Sequence, residues 1–161
     1  MRLKTQIGLL TFAVVTLIFS SCRNAELPTM SYATWQEVLK DGAIARGWIP
    51  QFLPTSSTNI WERHDIDTNA GVVCFFASSS ELELLTTQLN YQPTARLDEV
   101  GSWVAGWWPA NLPKGNLGDL VNRDGFKLYQ KPEGQSQTGT NGDWYFVINQ
   151  AKGVGLGWHR R

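Results

Sequence analysis

The hydrophobic positions of the chain change period several times, and each change marks an element. From Ser31 the stretch "SYATWQEVLKDGAIARG" carries Trp35, Val38 and Leu39 at helical spacing. Ser31 or Thr34 can cap its start, and Gly42 and Gly47 punctuate its end, so the pattern predicts a short helix. Pro50 and Pro54 then forbid a regular helix and force an irregular connector with buried apolar pegs. Between Asn59 and Asp67 polar and apolar residues alternate imperfectly: Ile60, Glu62, His64 and Ile66 fall on one face, Trp61, Arg63, Asp65 and Asp67 on the other. Neither face is cleanly apolar, which predicts an edge strand. "VVCFFA" is a continuous β-branched and aromatic run, the mark of a strand covered on both sides. It leads into "SSSELELLTTQLN", where Ser80 and Glu83 have capping-box spacing and Leu82, Leu85 and Leu89 form one stripe, a second helix ended by Asn90 and Pro93.

The last third alternates as an antiparallel sheet does. "FKLYQK" and "DWYFVINQ" read as strands separated by the polar loop 133–142, and "AKG" leads to "VGLGWHR". A three-residue loop of Ala151, Lys152 and Gly153 would set Ile148 opposite Leu156 and Phe146 opposite Trp158, joining apolar side chains on one face. A register shifted by one would pair Ile148 with Gly155 and expose that face, so the first register is expected. In it Tyr145 lies opposite His159 and Val147 opposite Gly157, with Gly155 and Gly157 leaving a trough for a helix, a ring or a ligand. The expected fold is α+β, a mainly antiparallel sheet of about four to five strands packed on two helices, in one globular domain spanning residues 31–161.

One apolar block fits none of this. Ile7 to Phe19 carries no charge and follows the basic residues Arg2 and Lys4, the layout of a signal peptide. It is shorter than the ~20 apolar residues a membrane-crossing helix needs. Phe19, Ser20, Ser21 and Cys22 then read "FSSC", which resembles the lipobox of bacterial lipoproteins, with Phe19 where leucine is usual. The resemblance implies removal of residues 1–21, diacylglycerol on the Cys22 sulfur, acylation of the new amino group, and a tether over 22–30. It places the protein in the bacterial cell envelope, held to the membrane by its lipid. With Arg23 after the cysteine, that membrane would be the outer one in a Gram-negative cell. Several acyl chains at ~0.8 kcal/mol per buried methylene would make the anchoring stable. A secretory signal cut nearer Ala25, with Cys22 lost, is the other reading.

Composition narrows the partners. Without residues 1–21 the charge is 12 basic against 14 acidic groups, and no basic patch points to nucleic acid. Cys74 is the one cysteine besides Cys22, so an internal disulfide is not expected, and within "GVVCFFA" it reads as a small buried hydrophobe. Eight tryptophans are many for this length. Most read as large core plugs. Trp103, Trp107 and Trp108 are the candidates for a binding surface, for instance towards a glycan or an envelope protein.

The candidate chemistry centres on "WERHDIDTNAG". Asp65, Asp67 and Asn69 at alternate positions resemble the opening of a calcium loop, where hard oxygens curl around a hard ion. The match then fails: Gly71 is one residue late and Phe76 stands where a bidentate glutamate belongs. A zinc site has only His64 and His159 to draw on. His64 with Asp65 or Asp67 could form a base and its orienter, with Ser56, Ser57 or Ser78 to Ser80 as nucleophile, but no nucleophile elbow is present. The competing reading is an Asx-type turn over Asp67, Thr68 and Asn69 ahead of the buried strand. No cofactor is expected.

A second resemblance rests on Pro50, Leu53, Pro54, Ser56, Ile60, Asp65, Asp67, Thr68 and Asn69. It is to a group of small bacterial proteins, often lipoproteins, with a "P-x-x-L-P-x-S" stretch followed by a "D-x-D-T-N"-like turn. It implies a common fold and no activity. The expected function is therefore a lipid-anchored, non-enzymatic envelope module that binds a protein or glycan. The alternatives are a small enzyme or calcium-binding module centred on His64, Asp65, Asp67 and Asn69, and an immunity- or inhibitor-like protein.

Overall fold

The protein is described by a computed structural model covering residues 29–67, 70–92, 120–121, 125–131 and 144–159. Strand β1 (Thr29–Thr34) leads directly into helix α1 (Trp35–Asp41); β2 (Thr58–Asp65) and β3 (Ala70–Phe76) follow, then helix α2 (Ser79–Thr86). β4 (Asn90–Tyr91), β5 (Lys127–Lys131), β6 (Trp144–Asn149) and β7 (Val154–His159) complete the order. All seven strands join one sheet in the order β1-β2-β3-β7-β6-β5-β4, and every neighbouring pair is antiparallel.

This corrects the expected four to five strands to seven among the described residues. The two unforeseen strands are the sheet's edges. β1 occupies residues read as tether and helix start, with only Tyr32 buried along it, so its polar sequence shows no strand alternation. β4 has two exposed residues and no pattern at all. With β1 outside it, β2 is an inner strand, paired on both sides, and not an edge. The described helices are both short.

Both helices begin where a side chain can accept from a free backbone amide. Thr34 accepts from the Glu37 amide, while Gly42 ends α1 at φ 78°, a left-handed turn that glycine adopts without cost. The capping box of α2 is formed by Ser78 and Glu81 and not by Ser80 and Glu83. Starting there, Leu82 and Leu85 face the core, and Leu89 is buried beyond the helix end.

The register of β6 and β7 is the one that the sequence argued against. Ile148 pairs with Gly155, Val147 with Leu156, Phe146 with Gly157, Tyr145 with Trp158 and Trp144 with His159. The reason is that neither face of this sheet is left bare. A Cβ on Gly155 would come within 2.3 Å of the Phe75 ring, and one on Gly157 within 2.4 Å of the Phe146 ring. The two glycines make room for two rings on the helix side, each fully buried and stabilising by about 1.5–3 kcal/mol. Leu156 and Trp158 are thereby turned to the opposite face, where they pack with Val72, Cys74, Leu128 and Val147.

The sheet thus separates two cores. One holds Trp35 and Val38 of α1, Leu82 and Leu85 of α2, and Val73, Phe75 and Phe146 of the sheet. The other, across the sheet, includes Leu120 and Phe126. Cys74 lies in it, fully buried, and burial pushes its thiol far above the usual range, so it is a packing residue. Among the described residues no helix is long and apolar enough to cross a membrane.

Candidate functional site

Alternation along β2 turns Ile60, Glu62 and His64 to the helix side of the sheet, where all three are buried. Glu62 lies between Met30 of β1 and Val73 of β3. His64 lies opposite Gly71, and Gly71 opposite His159. Because Gly71 has no side chain, His159 leans into the gap: a Cβ on Gly71 would be 2.7 Å from His159 Nε2. Two residues apart on one strand, Glu62 and His64 point the same way and meet. His64 Nδ1 is 2.9 Å and 3.3 Å from the two carboxylate oxygens of Glu62.

The connector between α1 and β2 roofs this pair. After the turn at Gly42, the Trp48 amide donates to the Ala43 carbonyl (3.0 Å), which swings the indole over the sheet. Trp48 stacks on His64 with centroids 3.6 Å apart and planes 13° apart. The Arg46 guanidinium lies 4.0 Å from the Trp48 ring centre, on the face that the imidazole leaves open. Arg46 is itself ion-paired with Asp41 and donates to the Asp41 carbonyl, and the Tyr32 hydroxyl donates to the same carboxylate at 2.9 Å. Ile49 and Leu53, the apolar pegs of the connector, are buried beneath it.

Sealed in this way, Glu62 has no exposed surface and His64 only 2 %. Burial is the main cause that raises the Glu62 carboxyl above the usual carboxylate range; the His64 bond and the Arg46 charge act against it, and Asp41 adds to it. His64 Nε2 is buried and has no hydrogen-bond partner among the described residues. When Glu62 is ionised, its carboxylate accepts from Nδ1–H of His64, and in a neutral imidazole that leaves the lone pair on Nε2. Chemically this is a base with its orienter, the unit used in proton transfer, but stacked beneath an indole and closed to solvent.

Of the residues singled out by sequence, His64, Asp65 and Asp67 are described, and they do not converge. Asp65 lies on the opposite side of β2 from His64, and its Oδ1 accepts from the Asp67 amide at 2.9 Å, an Asx-turn at the strand's end; the turn expected over Asp67, Thr68 and Asn69 runs outside the described residues. Asp67 is exposed. Asn69 lies outside the described residues, as do Cys22, Trp103, Trp107 and Trp108. No group of three or more His, Cys, Asp and Glu side chains comes together among the described residues. Sequence reasoning placed Glu62 and His64 on one face but did not name Glu62 as a partner. The signal was present in the "E-x-H" spacing on a strand. Trp48 and Arg46 gave no local signal, because only the folded connector carries them to the pair.

Comparison with known proteins adds one finding. Over residues 26–76 the chain matches the YbbD head domain, a stretch that runs from β1 through α1, the connector and β2 to β3. It includes Trp48, Glu62 and His64, and excludes β7 with His159. No curated protein and no solved structure matches the chain. What can be said of kinship is therefore a similarity to the YbbD head domain across less than a third of the sequence.

Proposed function

We propose that the protein is a lipid-anchored module of the bacterial cell envelope that binds a partner and does not catalyse. The anchor rests on "FSSC" and Cys22. The observation that carries the reading is the nearness of the folded body to that cysteine: β1 begins at Thr29, seven residues on. At ~3.3–3.6 Å per extended residue, a lipid on Cys22 would hold the sheet within about 25 Å of the bilayer. The binding role is supported by the sealing of Glu62 and His64, since a proton-transfer pair without access serves the fold before it serves a substrate. An enzyme or calcium module centred on His64, Asp65, Asp67 and Asn69 has less support, because strand parity divides His64 from Asp65.

The test is metabolic labelling with a fatty acid, followed by fractionation of envelopes. The native chain takes label and sediments with membranes; Cys22→Ala does neither. Equal labelling of the two proteins would end the anchor proposal. Crosslinking in intact envelopes then separates a protein partner from a glycan.

A further inference from the structure

We propose that Glu62 and His64, enclosed beneath Trp48, act as a proton-sensitive latch on the 43–57 connector: one proton taken up by the pair fastens the connector, and its loss loosens it. The inference goes beyond the anchoring proposal and holds whether or not Cys22 carries lipid. With carboxylate and neutral imidazole the pair carries one negative charge in a site without exposed surface. Uptake of a proton cancels that charge wherever the proton settles.

The surroundings supply only partial compensation. From the connector, Arg46 faces the pair across the Trp48 ring, but its guanidinium is engaged by Asp41 at the end of α1. From β1, Tyr32 is committed to the same Asp41. On the sheet, His159 of β7 lies beyond Gly71, and Lys131 of β5 lies further along that row, past Trp144. Arg63 and Asp65 point to the other side. Among the described residues, the neutralising charge that faces the pair thus sits on the connector itself. The connector also provides the lid: Trp48 covers the imidazole, and lifting it is the direct way for water to reach Glu62. An ionised pair favours the lifted state, and a neutral pair the seated one. One proton changes such an equilibrium by at most about tenfold per pH unit.

The experiment is amide hydrogen exchange on the full chain at pH 5.5 and pH 8.5, corrected for intrinsic rates, with the β6 amides as internal reference. The expected result is protection of the Trp48, Leu53 and Ser57 amides that is at least several-fold higher at the lower pH, while β6 does not change. Glu62→Gln, a neutral mimic, should keep the connector protected at both values, and His159→Gln should retain the native pH dependence. Equal protection of the native connector at both pH values overturns the proposal. So does a pH dependence that survives Glu62→Gln or disappears in His159→Gln. Should Glu62→Gln not fold, the carbon-13 shift of the Glu62 carboxyl in the native chain decides. It must titrate in step with connector protection, and a mismatch between the two curves overturns the latch.

Discussion

Two pairs of polar side chains sit in succession on β2 and beyond it, and they meet opposite fates. Glu62 and His64 are buried, bonded to each other and roofed by Trp48. Asp65 and Asp67 are bonded through a backbone amide at the strand's end, with Asp67 in solvent. The sequence spacing is the same, two residues in each case. What differs is which side of the pleat they occupy and whether an element crosses above. A charge-rich stretch is therefore not one feature: strand parity splits it into a buried pair and a surface turn, and only the first acts on the core.

The largest break in that comparison comes from removing the buried carboxylate. Glu62→Ala strips His64 of its hydrogen-bond partner among the described residues and opens a hole under Trp48, and should cost about 3–5 kcal/mol in urea unfolding. A cost below about 1 kcal/mol would mean that the pair is dispensable to the fold. Filling the gap beside His64 should do less. Gly71→Ala sets a methyl 2.7 Å from His159 Nε2, and overpacking of this kind costs about 1–3 kcal/mol. Displaced His159 ring signals in NMR, with those of Leu128 unmoved, would show that the strain stays in that row.

These effects also mark how far the sequence could be read. β2, β3, β5, β6 and β7 fall where hydrophobic periodicity placed strands, since each packs at least one apolar face. β1 and β4 escaped because an edge strand needs only backbone partners, and their side chains are mostly exposed. The β6–β7 register was misjudged for an energetic reason. Burying one apolar face is a sound guide when the other face is wet, but here Gly155 and Gly157 admit Phe75 and Phe146 on one side while Leu156 and Trp158 pack on the other. At the site, His64 was legible as a candidate. Its partner was mistaken for the neighbouring aspartates because adjacency in sequence was weighed above parity on the strand. Local turns at Gly42 and Trp48 shape the connector, but the stacking of Trp48 on His64 joins residues far apart in sequence, a tertiary contact that no local pattern reports.

pH sharpens the contrast through two glutamates with opposite shifts. Glu62 is raised by burial, so its contribution is fully present below the ordinary glutamate range and is lost as pH rises through the higher folded value. Glu81, at the start of α2, is lowered by the hydroxyls of Ser56 and Ser78, so its contribution is present above the ordinary range and is lost as pH falls through the lower folded value. The expected outcome is that Glu62→Gln flattens the stability–pH profile above the ordinary glutamate range and Glu81→Gln flattens it below that range. Thermal melts from pH 3 to pH 8 check it, and exchange of the two effects would refute the assignment.

The smallest expected effect belongs to the surface turn. Asp67 is exposed, and its backbone amide, not its carboxylate, makes the contact with Asp65. Asp67→Ala leaves that bond intact and should change stability by no more than about 0.5 kcal/mol, as surface substitutions do. The same change would remove a charged oxygen from any ion held by Asp65 and Asp67, so the variant separates a turn from a cation site. A ligand at a hundred times its dissociation constant stabilises by about 2.7 kcal/mol, well above what a melt can resolve. A turn predicts that millimolar calcium leaves the native melting temperature where it was, and that Asp67→Ala does not alter that indifference. A calcium-dependent rise in the native protein that Asp67→Ala abolishes would join the two aspartates in one site, and the division of this strand into a structural pair and an idle turn would have to be withdrawn.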